Sequence, residues 1–389
     1  FNSLYLYLKL YLLSKKLHIL FLCSWYPSRV LPTNGDFIKR HAEAISTLNN
    51  VSVLHIISDK TISHSTLVAT KDNNVNTFIG YVRYTSNPLI KLIRFAKMYK
   101  KAIIQIAPFD IIHLNVLFPF GILALHQKIF NKIPFIISEH WTGYQSIASK
   151  KVSTFHKFIA KKIIRRASIV APVSKHLQLS MISLGFKGKY LPIPNVVDTK
   201  LFLPKAGNKN TFTIVHISSL KNNHKNISGM LNVAKKLENE NSNFNWNFIG
   251  GSRNNFDNQI SELDFKSTKI NFINHVSQTE LVTYLQEASV FVLFSNYENL
   301  PCVILEAFSC GIPVISTDVG GIKEYFPENF GYLIPVNDEV KLKKCIIEIK
   351  NNPTYNQKEM HQFAEDNFSK KILAKRFTDI YFKCLNNDS

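Results

Sequence analysis

Short apolar runs alternate with amphipathic segments along most of the chain, and this alternation constrains the fold more than any other feature. The apolar runs, such as residues 17–24 and 133–140, have the length and the β-branched content of buried strands. The segments between them, such as residues 88–106 and 153–167, have helical spacing. Repeated strand–helix–strand units predict an α/β fold with doubly wound parallel sheets.

The alternation is interrupted once, by a polar, turn-rich stretch at residues 191–210, and then restarts. A chain of 389 residues exceeds the usual size of a single hydrophobic core. We therefore expect an N-terminal extension over residues 1–16, a first domain over residues 17–200 and a second domain over residues 201–367. Residues 363–385 are predicted to form one helix. A cleft between the two domains is the expected ligand site.

Composition indicates a folded protein in a reducing compartment. The chain is 46% hydrophobic, which is ample for two cores and excludes a disordered protein. Its five cysteines are dispersed without metal or disulfide spacing, which is typical of cytoplasmic proteins. The apolar run at residues 4–13 is interrupted by Lys9 and is shorter than the roughly 20 residues that span a bilayer. We expect no signal peptide there, and a helix on the membrane surface remains an alternative.

The chain carries a formal net charge of +20, which favours anionic partners. No zinc-finger spacing or RNA-recognition aromatic motif is present, so no nucleic-acid partner is expected. Residues 153–167 combine an apolar stripe with five cations, and residues 88–102 are similar. Such helices either expose a solvated charged face or lie on an anionic membrane surface, and the sequence leaves both interpretations open. The five cations are Lys157, Lys161, Lys162, Arg165 and Arg166.

Residues 289–317 place two carboxylates at a predicted ligand-binding edge. The pattern predicts a buried strand at residues 289–294, a loop, a helix with Pro301 in its first turn, and a left-handed Gly311 after the helix. Glu298 falls in the loop and Glu306 in the helix. Parallel sheets bind ligands at the carboxyl ends of their strands, and a helix N-terminus there attracts anions. The two carboxylates are therefore expected to flank a phosphate compound with hydroxyl groups, unless each is simply solvated.

The same stretch resembles the signature of the family 4, or group 1, retaining glycosyltransferases. The matching elements are two glutamates with seven residues between them, a Gly-x-Pro-Val turn at residues 311–314 and a Gly-Gly-x-x-Glu segment at residues 320–324. Residues 34–45 and 194–202 are similar to further family segments, so the resemblance covers nearly the whole chain after residue 16. It implies a GT-B fold: two Rossmann-like doubly wound domains face an interdomain cleft, and the C-terminal helix, residues 368–389, crosses back to the first domain.

The resemblance also implies roles for individual residues. Glu298 and His140 would be catalytic residues near the donor sugar, and Glu306 would accept hydrogen bonds from the ribose. Lys225 would hold the diphosphate, while Ser219 stands where the family commonly has Arg. The remaining expected donor-binding residues contribute backbone groups: Asn299, Leu300, Cys302, Val303 and Gly35.

By resemblance, the chain transfers a sugar from a nucleotide-diphosphate sugar, with retention and with neither a metal nor a separate cofactor. The expected acceptor is a glycan or a lipid-linked molecule in bacterial surface polysaccharide synthesis. The expected location is the cytoplasm, with peripheral attachment to the inner face of the membrane as an extension. Because Ser219 replaces an Arg, a catalytically inactive partner subunit that binds nucleotide sugar or glycan stays open as the alternative.

Overall fold

The computed structural model describes residues 16–145, 152–205, 207, 211–240 and 243–387. The chain divides into two compact units. Unit 1 contains the described residues up to Val173, together with Gln178–Val196 and the chain from Lys370 onward. Unit 2 contains Ser174–Leu177 and Val197–Ser369. The expected N-terminal extension, residues 1–16, lies outside the described residues except for Lys16.

Unit 1 is built on a seven-stranded sheet with the order β3-β4-β2-β1-β5-β6-β7. All neighbouring strands pair in parallel except β3, which is antiparallel to β4. The chain turns from one side of β1 to the other between β4 and β5, so the topological switch point lies between β1 and β5. The strands are β1 (His18–Cys23), β2 (Asn50–Asp59), β3 (Thr66–Asp72), β4 (Val75–Arg83), β5 (Ile111–Asn115), β6 (Phe135–Glu139) and β7 (Ile169–Pro172).

Helices α2 (Pro88–Ile106) and α4 (Thr154–Arg166) of unit 1 begin at side-chain caps. Asn87 accepts hydrogen bonds from the N–H groups of Leu89 and Ile90, and Ser153 accepts one from His156. Because these side chains satisfy amides that have no partner within the helix, they fix where each helix begins. The helices are α1 (Asp36–Ile45), α2 (Pro88–Ile106), α3 (Gly121–Phe130), α4 (Thr154–Arg166), α5 (Lys175–Ser183, whose first residues belong to unit 2) and the C-terminal α13 (Lys370–Asn387).

Helix α13 is part of the core of unit 1. Its buried Phe377 and Tyr381 pack in the same cluster as Phe21 and Ile38. The Tyr381 hydroxyl lies 2.7 Å from Nδ1 of the buried His113. Apolar burial of this extent contributes on the order of 2 kcal/mol per large side chain, so α13 is held to the strands and to α1 mainly by packing.

Unit 2 has a six-stranded, wholly parallel sheet with the order β10-β9-β8-β11-β12-β13. Its switch point lies between β8 and β11. The strands are β8 (Thr213–Ile217), β9 (Asn245–Ile249), β10 (Lys269–Ile273), β11 (Val290–Leu293), β12 (Val314–Thr317) and β13 (Gly331–Ile334). The helices are α6 (Asn222–Lys225), α7 (Ile227–Asn239), α8 (Asp257–Leu263), α9 (Gln278–Glu287), α10 (Cys302–Ser309), α11 (Glu339–Asn351) and α12 (Gln357–Phe368).

The structure corrects the prediction of one helix over residues 363–385. The chain breaks between α12 and α13 at Ser369, which is extended with φ −62° and ψ 154°. Val197 pairs with Ser369 as an isolated bridge, and its N–H donates to the carbonyl of Phe368 at 2.9 Å. The segment therefore forms two helices, and the units change at Val197 and Lys370 rather than at the expected residues 201 and 368.

Two further features bear on the expectations. The strands β3, β4 and β13 were not predicted, and they extend both sheets. None of the helices in the described part of the chain combines the length and the hydropathy needed to cross a bilayer.

Candidate active site

The loops after β8 and β11 lie side by side at the switch point of unit 2. The two strands are neighbours in the sheet, so the segments that follow their carboxyl ends meet at one edge. The N–H of Asn296, after β11, donates to the carbonyl of His224 at 2.8 Å, and its side-chain amide donates to the carbonyl of Asn223 at 3.1 Å. Ligands of parallel sheets bind at this kind of position.

Lys225 and Glu298 form a buried ion pair there. Nζ of Lys225 donates to Oε1 of Glu298, and the two residues are only 9% and 6% exposed. Nε2 of His224 donates to the carbonyl of Tyr297 at 2.7 Å and lies 3.6 Å from the same carboxylate oxygen. The His224 ring stacks on Tyr297 with 4.1 Å between centroids. The Glu298 carboxylate is therefore held by two neighbouring residues of one short segment.

This environment keeps Glu298 ionised. Burial pushes the pKa of Glu298 upward, but the charge of Lys225 and the nearby His224 ring outweigh it, and the pKa is lowered to about 2. An ionised carboxylate only accepts hydrogen bonds. Glu298 is thus suited to accept from sugar hydroxyls and unsuited to act as a general acid near neutral pH.

Glu306 is fully buried on α10, at 0% exposure. The loop residues before the helix, Asn299 and Leu300, are buried as well, while Cys302 and Val303 form the partly buried first turn of α10. Burial of both Glu298 and Glu306 rules out the interpretation of these carboxylates as solvated surface groups. The first-turn amides of a helix have no acceptor within the helix, so this turn is suited to an anion.

The predicted backbone signals around α10 are largely confirmed. Gly311 is left-handed, with φ 69°, directly after the helix. Pro301 is the residue before the first helical residue, with φ −70° and ψ 127°, and not a member of the first turn as predicted. Pro301 has no N–H to donate, and this is harmless here because no hydrogen bond within the helix is lost.

The Gly-Gly-x-x-Glu segment supports the Glu298 loop. Gly320 has φ 61°, and a Cβ there would lie 2.0 Å from the carbonyl oxygen of Glu298, so only glycine fits. The N–H of Gly321 donates to the carbonyl of Asn299 at 2.8 Å. The carboxylate of Glu324 accepts from the N–H groups of Lys175 and His176 at 2.7 and 2.6 Å, which caps the start of α5.

Ser219 is an exposed residue that brings no charge to the site. Its neighbour Ser218 is engaged: Oγ lies 2.7 Å from Nε2 of the buried His216 and accepts from the N–H of Leu220 at 3.0 Å. The sequence around Ser218 and Ser219 did not indicate these hydrogen bonds. His224, Tyr297 and His216 were also missed, because no spacing rule distinguishes a supporting histidine or tyrosine from any other.

His140 and Gly35 belong to unit 1, whereas the other predicted site residues belong to unit 2. His140 is 9% exposed and its ring lies 4.4 Å from that of Phe37. Burial, and then the neighbouring His41 and His113, hold the pKa of His140 well below its usual value. Gly35 has φ 75°, and a Cβ there would approach the backbone carbonyl carbon of Trp25 to 2.7 Å. Close backbone packing is therefore sufficient reason for a glycine at this position.

Glu139, next to His140, is a buried carboxylate that the sequence analysis overlooked. Oε1 accepts from the N–H groups of His140 and Trp141, both at 2.9 Å, and Oε2 accepts from the N–H of Leu117 at 3.0 Å. Burial raises the pKa of Glu139 to about 7, although these three hydrogen bonds oppose the rise. Glu139 thus orients the loop that carries His140. Across the described residues, no three His, Cys, Asp or Glu side chains converge in a way that could hold a metal ion.

Comparison with known proteins agrees with the fold. The family described as "Glycosyl transferases group 1" matches residues 199–369, and the family described as "Glycosyltransferase Family 4" matches residues 50–201. The chain belongs to the family 4 (group 1) glycosyltransferases, an enzyme family with the GT-B fold. Its structure is similar to that of sucrose-phosphate synthase from Thermosynechococcus elongatus, with a TM-score of 0.78, 18% identity and coverage of 94% of this chain and 98% of the other.

A second similar structure is Anabaena HepE in complex with UDP-glucose, with a TM-score of 0.72, 16% identity and coverage of 95% and 100% of the two chains. Among curated proteins, the chain is 28% identical to a component of the phosphatidylinositol N-acetylglucosaminyltransferase of Arabidopsis thaliana, over 51% of this chain and 45% of that protein. It is 21% identical to α-monoglucosyldiacylglycerol synthase of Acholeplasma laidlawii, over 77% and 81%.

The chain is also 25% identical to the putative teichuronic acid biosynthesis glycosyltransferase TuaC of Bacillus subtilis, over 61% of this chain and 60% of that protein. The matched region thus spans less than two thirds of the Arabidopsis and Bacillus relatives.

Proposed function

We propose that the chain is a retaining glycosyltransferase that moves a sugar from a nucleotide-diphosphate sugar to a glycan or lipid-linked acceptor. The observation that carries this proposal is the buried, ionised Glu298, paired with Lys225 at the switch point of unit 2 and close in sequence to the buried Glu306. Two carboxylates suit the hydroxyls of a sugar and a ribose, while the ammonium and the helix N-terminus suit the diphosphate.

In the proposed reaction the bond between the anomeric carbon and the diphosphate oxygen breaks as the acceptor oxygen bonds to the same face of that carbon. The leaving diphosphate takes the acceptor proton. Negative charge grows on the diphosphate during this step, and Lys225 together with the first turn of α10 would stabilise it. Glu298 would orient the donor sugar through its hydroxyls. A similar structure that contains UDP-glucose supports a nucleotide-sugar donor.

The names of the relatives support the acceptor class. They refer to phosphatidylinositol, to a glucosyldiacylglycerol and to teichuronic acid, which are two lipids and a polysaccharide. We therefore assign the chain to surface polysaccharide synthesis in the cytoplasm, at the inner face of the membrane. Its five free cysteines are consistent with a reducing compartment.

The donor assignment is tested by calorimetry with UDP-, GDP- and ADP-glucose, with Glu306→Gln as the variant. We expect one of the three donors to bind, and Glu306→Gln to weaken that binding by roughly 10- to 100-fold, because hydrogen bonds to a charged acceptor are lost. Glu262→Gln, an exposed glutamate on α8, is the control and should bind like the parent protein. Equal affinity in all three proteins would contradict the proposal.

A catalytically inactive, sugar-binding subunit is the second candidate, and it is favoured by the exposed, uncharged Ser219 at the position of a family Arg. Transfer assays separate the two candidates. Product formed by the parent protein and lost in Glu298→Gln would exclude the inactive subunit. Donor binding without product, with either membranes or glycans as acceptors, would support it instead.

A further inference from the structure

Unit 1 contains a large apolar cavity at its own switch point. The cavity has a volume of about 710 Å³, and it is formed by the loop after β1, the end of β2, helix α2 and the start of α3. This volume lies in the range of small-molecule sites, roughly 300–1,000 Å³. Most of its lining is apolar, including Trp25, Ile57, Leu92, Phe95 and Phe120. Its position and size indicate a binding site that the donor does not need.

A second, more polar cavity adjoins the first. It has a volume of about 530 Å³ and shares Val30 and Ser58 with the apolar cavity. Its lining includes Arg29, Lys60 and Thr61, and also Asp59, whose carboxylate accepts from Nε of Arg29 at 2.9 Å. Within the described part of the chain, Lys60 takes part in no salt bridge and contacts the ring of Tyr84, 4.9 Å from its centroid. The two cavities together offer an apolar compartment next to a polar one, whose charged lining residues, Arg29, Asp59 and Lys60, sum to a charge of +1.

One residue that lines the apolar cavity carries a buried polar atom. His55 lines the cavity and is 2% exposed, and its Nδ1–H donates to the carbonyl of Cys23 at 2.8 Å. Burial lowers the pKa of His55, so its ring is neutral and Nε2 is an acceptor. In the described structure this buried Nε2 has no hydrogen-bond partner. A buried acceptor without a partner is costly.

The mouth of the apolar cavity is itself apolar. Leu31, Leu92 and Ile122 line the cavity and are 48%, 67% and 51% exposed. Leu89 and Ile93, which flank Leu92 on α2, are 69% and 54% exposed. Contiguous exposed apolar side chains of this kind mark ligand or membrane contacts. The cations Lys60 and Lys91 beside them make the neighbourhood complementary to an anionic amphiphile.

We propose that these joined cavities bind the acceptor, and that the acceptor is a phosphate-bearing lipid: its hydrocarbon chain occupies the apolar cavity and its phosphate lies beside Lys60 and Arg29. As an acceptor site this assignment rests on the proposed glycosyltransferase function. The binding test below uses no nucleotide sugar, so failure of the two proposals can be distinguished.

The test is calorimetry on the full chain with hexyl, octyl and decyl phosphate below their micelle concentrations, and with inorganic phosphate. We expect affinity to rise with chain length, by about fourfold for each fully buried methylene, and inorganic phosphate not to bind measurably. Equal affinity for the three alkyl phosphates, or for inorganic phosphate and decyl phosphate, would overturn the proposal. Either result would show that the apolar cavity contributes nothing.

Matched variants locate the site. Leu92 is exposed but also lines the cavity. Leu92→Gln should therefore weaken decyl phosphate binding about tenfold, because the apolar contact of the leucine with the alkyl chain is lost. Leu179→Gln, which is 65% exposed on α5 and does not line the cavity, should have no effect. Both sites are exposed, so neither change should prevent folding. Equal effects of the two variants would place binding elsewhere.

Charge recognition is tested with Lys60→Gln and its control Lys71→Gln, an exposed lysine on β3. Lys60→Gln should weaken decyl phosphate binding about tenfold and leave decanol binding unchanged, since only the phosphate depends on the ammonium. Lys71→Gln should change neither. Unaltered decyl phosphate binding in Lys60→Gln would overturn the assignment of the phosphate to the polar cavity.

Discussion

The pairing of Lys225 with Glu298 ties together two residues that are 73 positions apart in the sequence. Removing two charges from water is costly, and their mutual attraction offsets that cost only while both are present. In the free protein Lys225 is therefore held by Glu298, and the diphosphate of a donor would have to share or replace this contact. The loop after β11 and helix α6 are consequently coupled in stability.

Breaking this pair from one side should destabilise the protein strongly. We expect Glu298→Gln and Lys225→Met each to lower the free energy of unfolding by about 3 kcal/mol, because each leaves the partner buried without compensation. The double variant should be less destabilised than the sum of the singles, with a coupling of at least about 1 kcal/mol. Urea titrations of the four proteins give these values.

The partly exposed pair of Lys236 and Glu339, with 2.6 Å between Nζ and Oε2, is the control for this cycle. Lys236 is half exposed, so the same two substitutions there should couple by less than about 1 kcal/mol. If both cycles gave the same small coupling, Lys225 and Glu298 would not form a desolvated pair in solution.

The sequence located the carboxylates more reliably than their partners. Glu298 follows a strongly apolar strand and precedes a helix with clear start and stop signals, so its place in a loop at the sheet edge was predictable. The contact of Glu298 with Lys225 depends on which strands are neighbours in the sheet, and local sequence periodicity does not reveal the strand order. The family resemblance gave Lys225 a phosphate-binding role, and nothing in the sequence indicated that Lys225 pairs with Glu298.

Among the secondary-structure elements, the sequence patterns correctly predicted those whose residues are strongly buried. The strand predicted within residues 289–294 is β11, whose four residues are all buried. Strand β3 was missed because six of its seven residues are exposed, so no apolar alternation marks it. The helix break at Ser369 was missed because the sequence has no Gly or Pro there, and the break depends on the distant Val197.

Glu324 should stabilise the start of helix α5 through its charge. Replacing it with Gln keeps the size but removes the carboxylate that accepts from the N–H groups of Lys175 and His176. We expect a loss of about 1 kcal/mol in the free energy of unfolding, the usual value of a helix cap, reduced by the exposure of this side chain. Glu328→Gln, at a glutamate nearby in sequence, is the control for the urea titration. Equal stability of the two variants would contradict a capping role.

At the scale of the whole molecule, buried neutral histidines are the main acid-sensitive groups. Burial lowers the pKa of His41 to about 4 and that of His216 to about 3. It also lowers the pKa values of His55, His113 and His140. Glu139 acts in the opposite direction, because its pKa is raised to about 7. The histidines outnumber it, and they lie in both units.

The sign of the pH dependence follows from proton binding in the two states. Between about pH 6.5 and pH 4 the unfolded chain protonates its histidines while the folded chain keeps the buried ones neutral, so stability falls as the pH falls. Glu139 alone would contribute stability that is present below about pH 4.5 and lost as the pH rises toward 7. We therefore expect the free energy of unfolding to decrease from pH 7.5 to pH 5.

His41 provides a specific test of this origin. It is 2% exposed on α1, and neither ring nitrogen has a hydrogen-bond partner in the described structure, so a leucine can replace it without leaving a polar group unsatisfied. His41→Leu should reduce the loss of stability on acidification by up to about 1.4 kcal/mol per pH unit between pH 6 and pH 4. Urea titrations at pH 4.5, 5.5 and 7.5 measure this, with the exposed His64→Leu as the control. Identical pH profiles for the two variants would show that desolvation of His41 does not contribute to acid sensitivity. A flatter profile in His41→Leu alone would show that part of the acid-induced loss of stability arises in the interior of unit 1.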